Sequence, residues 1–164
     1  MNLRDHPPLW RQPQARLWLV ALTGLAAVAA AVFTQHHWDM LPCPWCILQR
    51  MVFLLIAAVA LAGVVLHGLP RRVAGAAVLL LALGGIAAAV WQHFVAAASA
   101  SCKLTLADRI ISGSGLDGWW PEVFGVFASC ADAKVNLLGL PYEFFSGALF
   151  VLLAALAWPA LRGR

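Results

Sequence analysis

Two thiols separated by two residues, Cys43 and Cys46, sit in Leu41-Pro42-Cys43-Pro44-Trp45-Cys46-Ile47-Leu48-Gln49-Arg50, where one long apolar run ends and the next begins. Such a pair can close into a disulfide or supply half of a metal site. In the redox reading the residues predict a helix start, with Cys43 as N-cap, Pro44 at the first helical position where its missing N–H costs nothing, and Cys46 in the first turn. Both sulfurs then feel the positive end of the helix, which favours the thiolate, the form that attacks disulfides. Arg50 follows Cys46 by four residues, so its guanidinium lies one turn along the same face, able to pair with the thiolate or with a reduced acceptor beside it.

A zinc site would ask for a second Cys-x-x-Cys, but the other two cysteines, Cys102 and Cys130, are far apart and no histidine lies at ligand spacing between them. Cys46 is followed by Ile47 and not by histidine, which removes the c-type haem attachment signature. No metal is expected.

The elements that must position these thiols belong in lipid. Of 164 residues, 63% are apolar and 11% charged, and the net charge is only +4, without the clustered basic stripe of a nucleic-acid binder. An N-terminal arm, residues 1–16, carries Arg4, Arg11 and Arg16 and is expected to be irregular. Apolar runs follow at about 17–35, 45–66, 73–95 and 144–161. Each approaches the ~20 residues that cross roughly 30 Å of hydrocarbon. The first run is too long for the h-region of a signal peptide, about 7–15 residues, so a span is expected in preference to a cleaved leader. Residues 67–72 read as a tight basic turn, and Gly84-Gly85 would let a neighbouring helix approach closely. A four-helix, all-α membrane bundle results, the whole chain 1–164 forming one domain.

Orientation follows from the basic residues. Arg4, Arg11, Arg16, Arg71, Arg72, Arg162 and Arg164 fall on one side, Lys103, Arg109 and Lys134 on the other. The first side is therefore expected to be cytoplasmic and to hold both termini. All four cysteines then lie at the outer face, Cys43 and Cys46 where the short loop 36–44 meets the second span, Cys102 and Cys130 in the long loop 96–143. A loop of that length is functional or disordered more often than a plain connector. Ser112-Gly113-Ser114-Gly115 reads as flexible, and Trp119-Trp120-Pro121-Glu122-Val123-Phe124-Gly125-Val126-Phe127 as a short helix resting at the headgroups, with a simple aromatic belt as its plain alternative.

One tight thiol pair at a helix start and one loose pair in a loop fit a disulfide relay. On these features the chain resembles the bacterial disulfide bond formation protein B (DsbB) family: four spans, a Cys-x-x-Cys followed by arginine at the start of the second, a later cysteine pair in the long outer loop, a Trp-x-Pro-x-Val-Phe-like segment before Cys130, and Leu138-Gly139-Leu140 before the last span. The resemblance implies a protein-dithiol:quinone oxidoreductase of the bacterial inner membrane. Cys102 would form the mixed disulfide with a periplasmic thioredoxin-like partner of the DsbA type. Cys130 would attack the Cys43–Cys46 bond at Cys43, leaving Cys46 as the thiolate facing a membrane quinone, either ubiquinone or menaquinone. Arg50 would stabilise that thiolate and the reduced ring, and His93 would be the quinone-side histidine; a bound ring is to be looked for near Cys46, between the second and third spans. Pro44-Trp45 departs from family members with smaller residues there.

Plainer roles stand beside these. Cys102 and Cys130 could form a static staple, Arg50 could snorkel as an interfacial anchor, and His93 could be an ordinary span-end histidine. His36, His37 and Glu143 read as boundary residues. Two rival functions remain. A vitamin K epoxide reductase-like enzyme also uses two cysteine pairs, but there the loop pair precedes the Cys-x-x-Cys. A non-catalytic tetraspan adaptor would keep its loop disulfide permanently closed.

Overall fold

Proline opens each of the first three long helices, filling positions whose N–H would have no partner inside the helix. The computed structural model describes residues 12–98 and 105–162, so Cys102 lies outside the described residues. Within them run α1 (Pro13–His37), α2 (Pro44–Val65), α3 (Leu69–Phe94), a 3₁₀ turn (Ala96–Ala98), α4 (Leu106–Ser114), α5 (Leu116–Trp119), α6 (Pro121–Phe124), a hairpin of β1 (Asn136–Leu137) and β2 (Leu140–Pro141), and α7 (Tyr142–Arg162). Four helices are long and apolar enough to cross a membrane: α1, α2, α3 and, within α7, Tyr142–Pro159. The fold is an all-α membrane bundle in which α1 packs on α2, α2 on α3, α3 on α7, and α7 back on α1.

Helix–helix approach in such a bundle is set by small residues. A Cβ on Gly24 of α1 would stand 2.9 Å from the Phe53 carbonyl oxygen of α2. A Cβ on Gly85 of α3 would collide with the Phe150 ring of α7, which itself stacks on Phe53 at 4.0 Å between centroids. Of the Gly84-Gly85 pair only Gly85 serves the close approach; Gly84 faces open space. The core runs along the bundle axis through Leu17, Val20, Ile56, Val78, Phe150 and Leu153, all fully buried. Large apolar side chains such as Leu22, Leu80 and Val151 point outward on the lipid-facing sides.

Several boundaries differ from the sequence expectation. Residues 13–16, expected within the irregular arm, are already helical, because Gln12 is extended and Pro13 starts the helix behind it. The basic turn is shorter than expected: Gly68, at φ 62°, makes the reversal, and Arg71 and Arg72 lie in the first turns of α3, with Arg71 Nε donating to the Leu66 carbonyl at 2.7 Å.

The long loop carries more helix, and earlier, than the aromatic stretch implied. α4 is closed at its start by a capping box in which Thr105 Oγ1 accepts from the Asp108 N–H at 3.3 Å and the Thr105 N–H donates to Asp108 Oδ2 at 2.9 Å. Ser112-Gly113-Ser114, expected to be flexible, is the last turn of α4, and Gly115 at φ 68° is its left-handed cap. The 119–127 stretch is not one helix. Trp120, at φ −141° and ψ 73°, separates α5 from α6, while Val123 and Phe124 turn into the bundle core. Trp119 and Trp120 remain exposed. Leu138 and Gly139 take φ 53° and 82°, the positive pair that a two-residue hairpin turn requires, so Leu138-Gly139-Leu140 is the tip of the β1–β2 hairpin.

Candidate active site

Cys43 caps α2 as the sequence predicts: it is extended, with φ −88° and ψ 168°, and its sulfur accepts from the Cys46 N–H at 3.3 Å. The Cys43 and Cys46 sulfurs are 2.8 Å apart, and Cys43, Cys46 and Cys130 are free thiols. Cys130 arrives from the far loop by a chain of small ties. The Pro42 carbonyl accepts from the N–H groups of Phe127 at 3.1 Å and Ala128 at 3.3 Å, fastening the long loop to the short one. Just beyond, Ser129 Oγ accepts from the Asp132 N–H at 3.1 Å, and the Ala133 N–H donates to the Ser129 carbonyl at 2.9 Å, which winds one turn around Cys130.

Three sulfurs therefore gather at the N-terminus of α2. Cys130 is 5% exposed and Cys43 fully buried, in a small cluster with Trp45, Ala88, Ala96 and Ala107. The Cys43 thiol donates toward Cys130, whose sulfur also accepts from the Trp45 backbone N–H. The first of these bonds, aided by the second, holds the Cys130 thiol below its ordinary pKa against the opposing cost of burial. Cys43 moves strongly upward, because its proton is shared with Cys130 and Cys46 and because it is buried. With both thiols reduced, the arrangement draws the shared proton toward Cys43 and away from Cys130. The Trp45 indole, between the two cysteines of the motif, lies 6.3 Å from the Trp91 ring, and its Nε1 is one of two buried polar side-chain atoms without a partner among the described residues.

Behind Cys46 a cavity of about 240 Å³ opens, with mostly apolar walls. Ala31 and Thr34 of α1, Cys46, Gln49, Arg50 and Phe53 of α2, and Tyr142, Glu143, Phe145, Ser146 and Leu149 of α7 contribute to it, and Val135 and Leu137 cover it from the loop. The space lies chiefly among the first, second and fourth spans, with Gln92 the one residue of α3 in its lining, and does not open between the second and third. The α2–α3 seam is closed beside Cys46, where Gln49 Nε2 donates to Gln92 Oε1 at 2.6 Å. α7 leans on α3 more than on α1, which leaves the gap on the α1 side.

Arg50 is 5% exposed and turned inward, not snorkelling. Its Nη1 donates to Gln35 Oε1 at 2.8 Å and to the Val123 carbonyl at 3.0 Å, and its Nη2 to the Ala31 carbonyl at 3.1 Å. Gln35 Nε2 in turn donates to the Glu122 carbonyl at 3.2 Å. Arg50 thus lines the cavity and also ties α6 to α1 and α2. From outside the Cys43–Cys46 motif, the side-chain donor that reaches the Cys46 sulfur is Gln92, from Nε2 at 3.3 Å. His93 is outside the cavity lining; its Nδ1 lies 2.8 Å from Glu143 Oε1, and Phe94 and Phe144 meet it edge-on. Glu143, read from sequence as a boundary residue, does line the cavity.

Gln49, Gln92 and Ser146 escaped the sequence reading. A polar residue inside an apolar span is the signal that could have found the two glutamines. They lie within predominantly apolar helices, at 4% and 7% exposure. Among the described residues no cluster of three or more histidine, cysteine or acidic side chains could hold a metal ion.

Comparison with known proteins agrees with this architecture. The family model described as disulfide bond formation protein DsbB matches residues 13–160. Disulfide bond formation protein B 1 of Pseudomonas savastanoi pv. phaseolicola is 36% identical over 160 residues, covering 94% of this chain and 92% of the relative. Disulfide bond formation protein B 2 of Burkholderia lata is 37% identical over 155 residues, covering 88% and 89%, and disulfide bond formation protein B of Nitrosomonas europaea is 29% identical over 147 residues, covering 85% and 90%. With a match running from the first turn of α1 into the end of α7, and relatives above 30% identity aligned along nearly their whole length, the chain belongs to the DsbB family of disulfide-generating membrane oxidoreductases.

Proposed function

We propose that the protein reoxidises a periplasmic DsbA-like dithiol protein and passes the electrons to a membrane quinone. The observation that carries this reading is the meeting of Cys130 with Cys43 at the head of α2, while Cys46 opens into an apolar cavity. In this scheme Cys102 and Cys130 start as a disulfide; the partner's thiolate attacks Cys102, the Cys102–Cys130 bond breaks with its electron pair left on Cys130, and the partner's second thiol then displaces Cys102, leaving the partner oxidised and the Cys102–Cys130 pair reduced. Cys130, as its thiolate and with the Trp45 backbone N–H as a donor that does not depend on the redox state of Cys43, then attacks Cys43, and the electron pair of the Cys43–Cys46 bond moves onto Cys46.

The cavity suits a quinone ring. It has apolar walls for the ring faces, the thiol of Cys46 at one side, and polar side chains of Gln49, Arg50, Tyr142 and Glu143 at its edge. A bound quinone would supply an acceptor for two electrons and two protons. Arg50, Gln49 and Phe53 would orient it, and His93 would act on it through Glu143. The loop residues Val135 and Leu137 would exclude water from the Cys46 sulfur.

For topology we propose a single membrane domain in the bacterial inner membrane, with spans close to α1, α2, α3 and α7, both termini cytoplasmic, and all four cysteines periplasmic. The excess of arginines flanking the bundle's other face supports this orientation. No nucleic-acid partner enters the scheme.

The test is turnover of the purified protein with a reduced thioredoxin-like dithiol protein and a water-soluble quinone analogue. Cys43→Ser or Cys46→Ser should abolish quinone reduction. Cys102→Ser should block the protein substrate while sparing a small dithiol. Undiminished turnover in the first pair defeats the assignment, and equal loss of both activities in the last defeats the order of the relay.

A further inference from the structure

Cys46 is the leaving sulfur when its bond to Cys43 opens, and the group aimed at it is neutral. Gln92 Nε2 donates to Cys46 Sγ at 3.3 Å. An amide side chain presents a donor or an acceptor depending on a half-turn about its last bond, and the wrong face would repel a sulfur anion. Here the turn is set from behind. Gln92 Oε1 accepts from Gln49 Nε2 at 2.6 Å, and Gln49 Oε1 accepts from Ser146 Oγ at 2.5 Å, closer than the 2.9 Å from that hydroxyl to the Glu143 carbonyl. The chain crosses from α7 through α2 to α3 and ends on the sulfur, with both glutamines buried.

We propose that Gln92 is a catalytic residue for the internal disulfide exchange, donating to the Cys46 sulfur as that sulfur departs, with Gln49 and Ser146 as the positioning residues that keep its amide turned the right way. The proposal rests on the relay described above. In the step concerned the Cys130 thiolate attacks Cys43 Sγ. The Cys43–Cys130 bond forms, the Cys43–Cys46 bond breaks, and its electron pair stays on Cys46 Sγ. One thiolate is consumed and one produced, so the step needs no outside oxidant, reductant or proton. A sulfur within a disulfide accepts a hydrogen bond weakly and a thiolate accepts one strongly, so the donor acts mainly on the opened state and on the transition state leading to it. This is the logic of an oxyanion hole transferred to sulfur. Arg50, by contrast, spends its hydrogen bonds on Gln35, Ala31 and Val123, leaving the local donor role to the amide.

The test uses the full chain carrying Cys102→Ser, so that one disulfide is shared among three sulfurs, purified in detergent and freed of lipid. Differential alkylation followed by peptide mass analysis reads the ratio of the Cys43–Cys130 to the Cys43–Cys46 form and the rate at which the first appears from the second. Adding Gln92→Leu should lower both by roughly tenfold, and Ser146→Ala by a smaller factor in the same direction. A ratio and rate within twofold of the parent overturn the proposal. If the Cys43–Cys130 form is absent from parent and variant alike, the relay itself fails and the proposal falls with it. Should Gln92→Leu not fold, the side-chain amide proton resonance of Gln92 in the otherwise unaltered protein decides. It should move downfield when Cys46 is released from its disulfide, and an unchanged resonance overturns the assignment.

Discussion

Replacing Arg50 with methionine keeps most of the side chain's volume and removes its donors. The three acceptors it abandons are not equivalent. The Ala31 carbonyl lies within α1 and also accepts from Thr34 Oγ1 at 3.1 Å, so its loss matters least. Gln35 Oε1 and the Val123 carbonyl lose a charged donor at 2.8 and 3.0 Å. Hydrogen bonds to charged groups are worth about 1.5 kcal/mol each at the low end, so roughly 3 kcal/mol is lost, half of it directly at α6 through Val123 and half through Gln35 of α1, which itself holds the Glu122 carbonyl. Removing a buried charge returns about 1 kcal/mol of that. The net of about 2 kcal/mol corresponds to roughly thirtyfold more frequent detachment of the loop.

Hydrogen exchange in detergent micelles reads this locally. The amides of Val123, Phe124 and Gly125, bonded within their own turn at 3.1, 3.0 and 2.7 Å, should exchange roughly thirtyfold faster. Amides in the middle of α2 should not change. Arg50→Lys keeps the charge but loses the forked geometry, and should recover only part of the protection. Exchange at 123–125 within twofold of the parent would refute the idea that Arg50 fastens the loop. An equal rise throughout α2 and α3 would refute it too, by showing that the side chain supports the whole bundle.

Two other perturbations separate neighbouring positions by their surroundings. Gly85→Leu should destabilise the bundle by at least about 2 kcal/mol, because even its first side-chain atom meets the Phe150 ring, whereas Gly84→Leu, facing open space, should stay within about 0.5 kcal/mol; thermal unfolding in detergent compares them. The rate of Cys130 alkylation against pH, measured in a fully reduced Cys102→Ser background and read at Cys130 by peptide mass analysis, should show a midpoint below the ordinary thiol value of 9.0, since the Cys43 thiol donates to the Cys130 anion. Adding Cys43→Ala removes that donor and should move the midpoint up; an unmoved midpoint would mean that Cys43 does not stabilise the anion.

Much of the bundle was legible because lipid imposes a coarse rule. A backbone in hydrocarbon must satisfy its own hydrogen bonds, so an uncharged run of sufficient length has little choice but helix. The start of α2 was legible for a local reason: Cys43 as cap and Pro44 at the first helical position need no distant residue to hold them. The capping box Thr105–Asp108 was equally local, yet the aromatic run 119–127 drew the expected helix away from it. Trp120 breaks that run, and Val123 and Phe124 are spent on the core instead of the membrane surface.

What the chain could not disclose residue by residue is who meets whom. Cys130 reaches Cys43 because Pro42 accepts from Phe127 and Ala128, a tie between two loops separated by α2 and α3. Gln92 reaches Cys46 only because α3 packs beside α2, closely enough at the far end that a Cβ on Gly63 would come within 3.0 Å of the Ala74 methyl. The cavity lies on the α1 and α7 side because α7 leans toward α3. Composition and local spacing determined that there would be four greasy helices and a thiol pair at a helix tip, since those depend on residues near one another in the chain. The neighbours of each sulfur depend on contacts across dozens of residues, and only the packed bundle decides those.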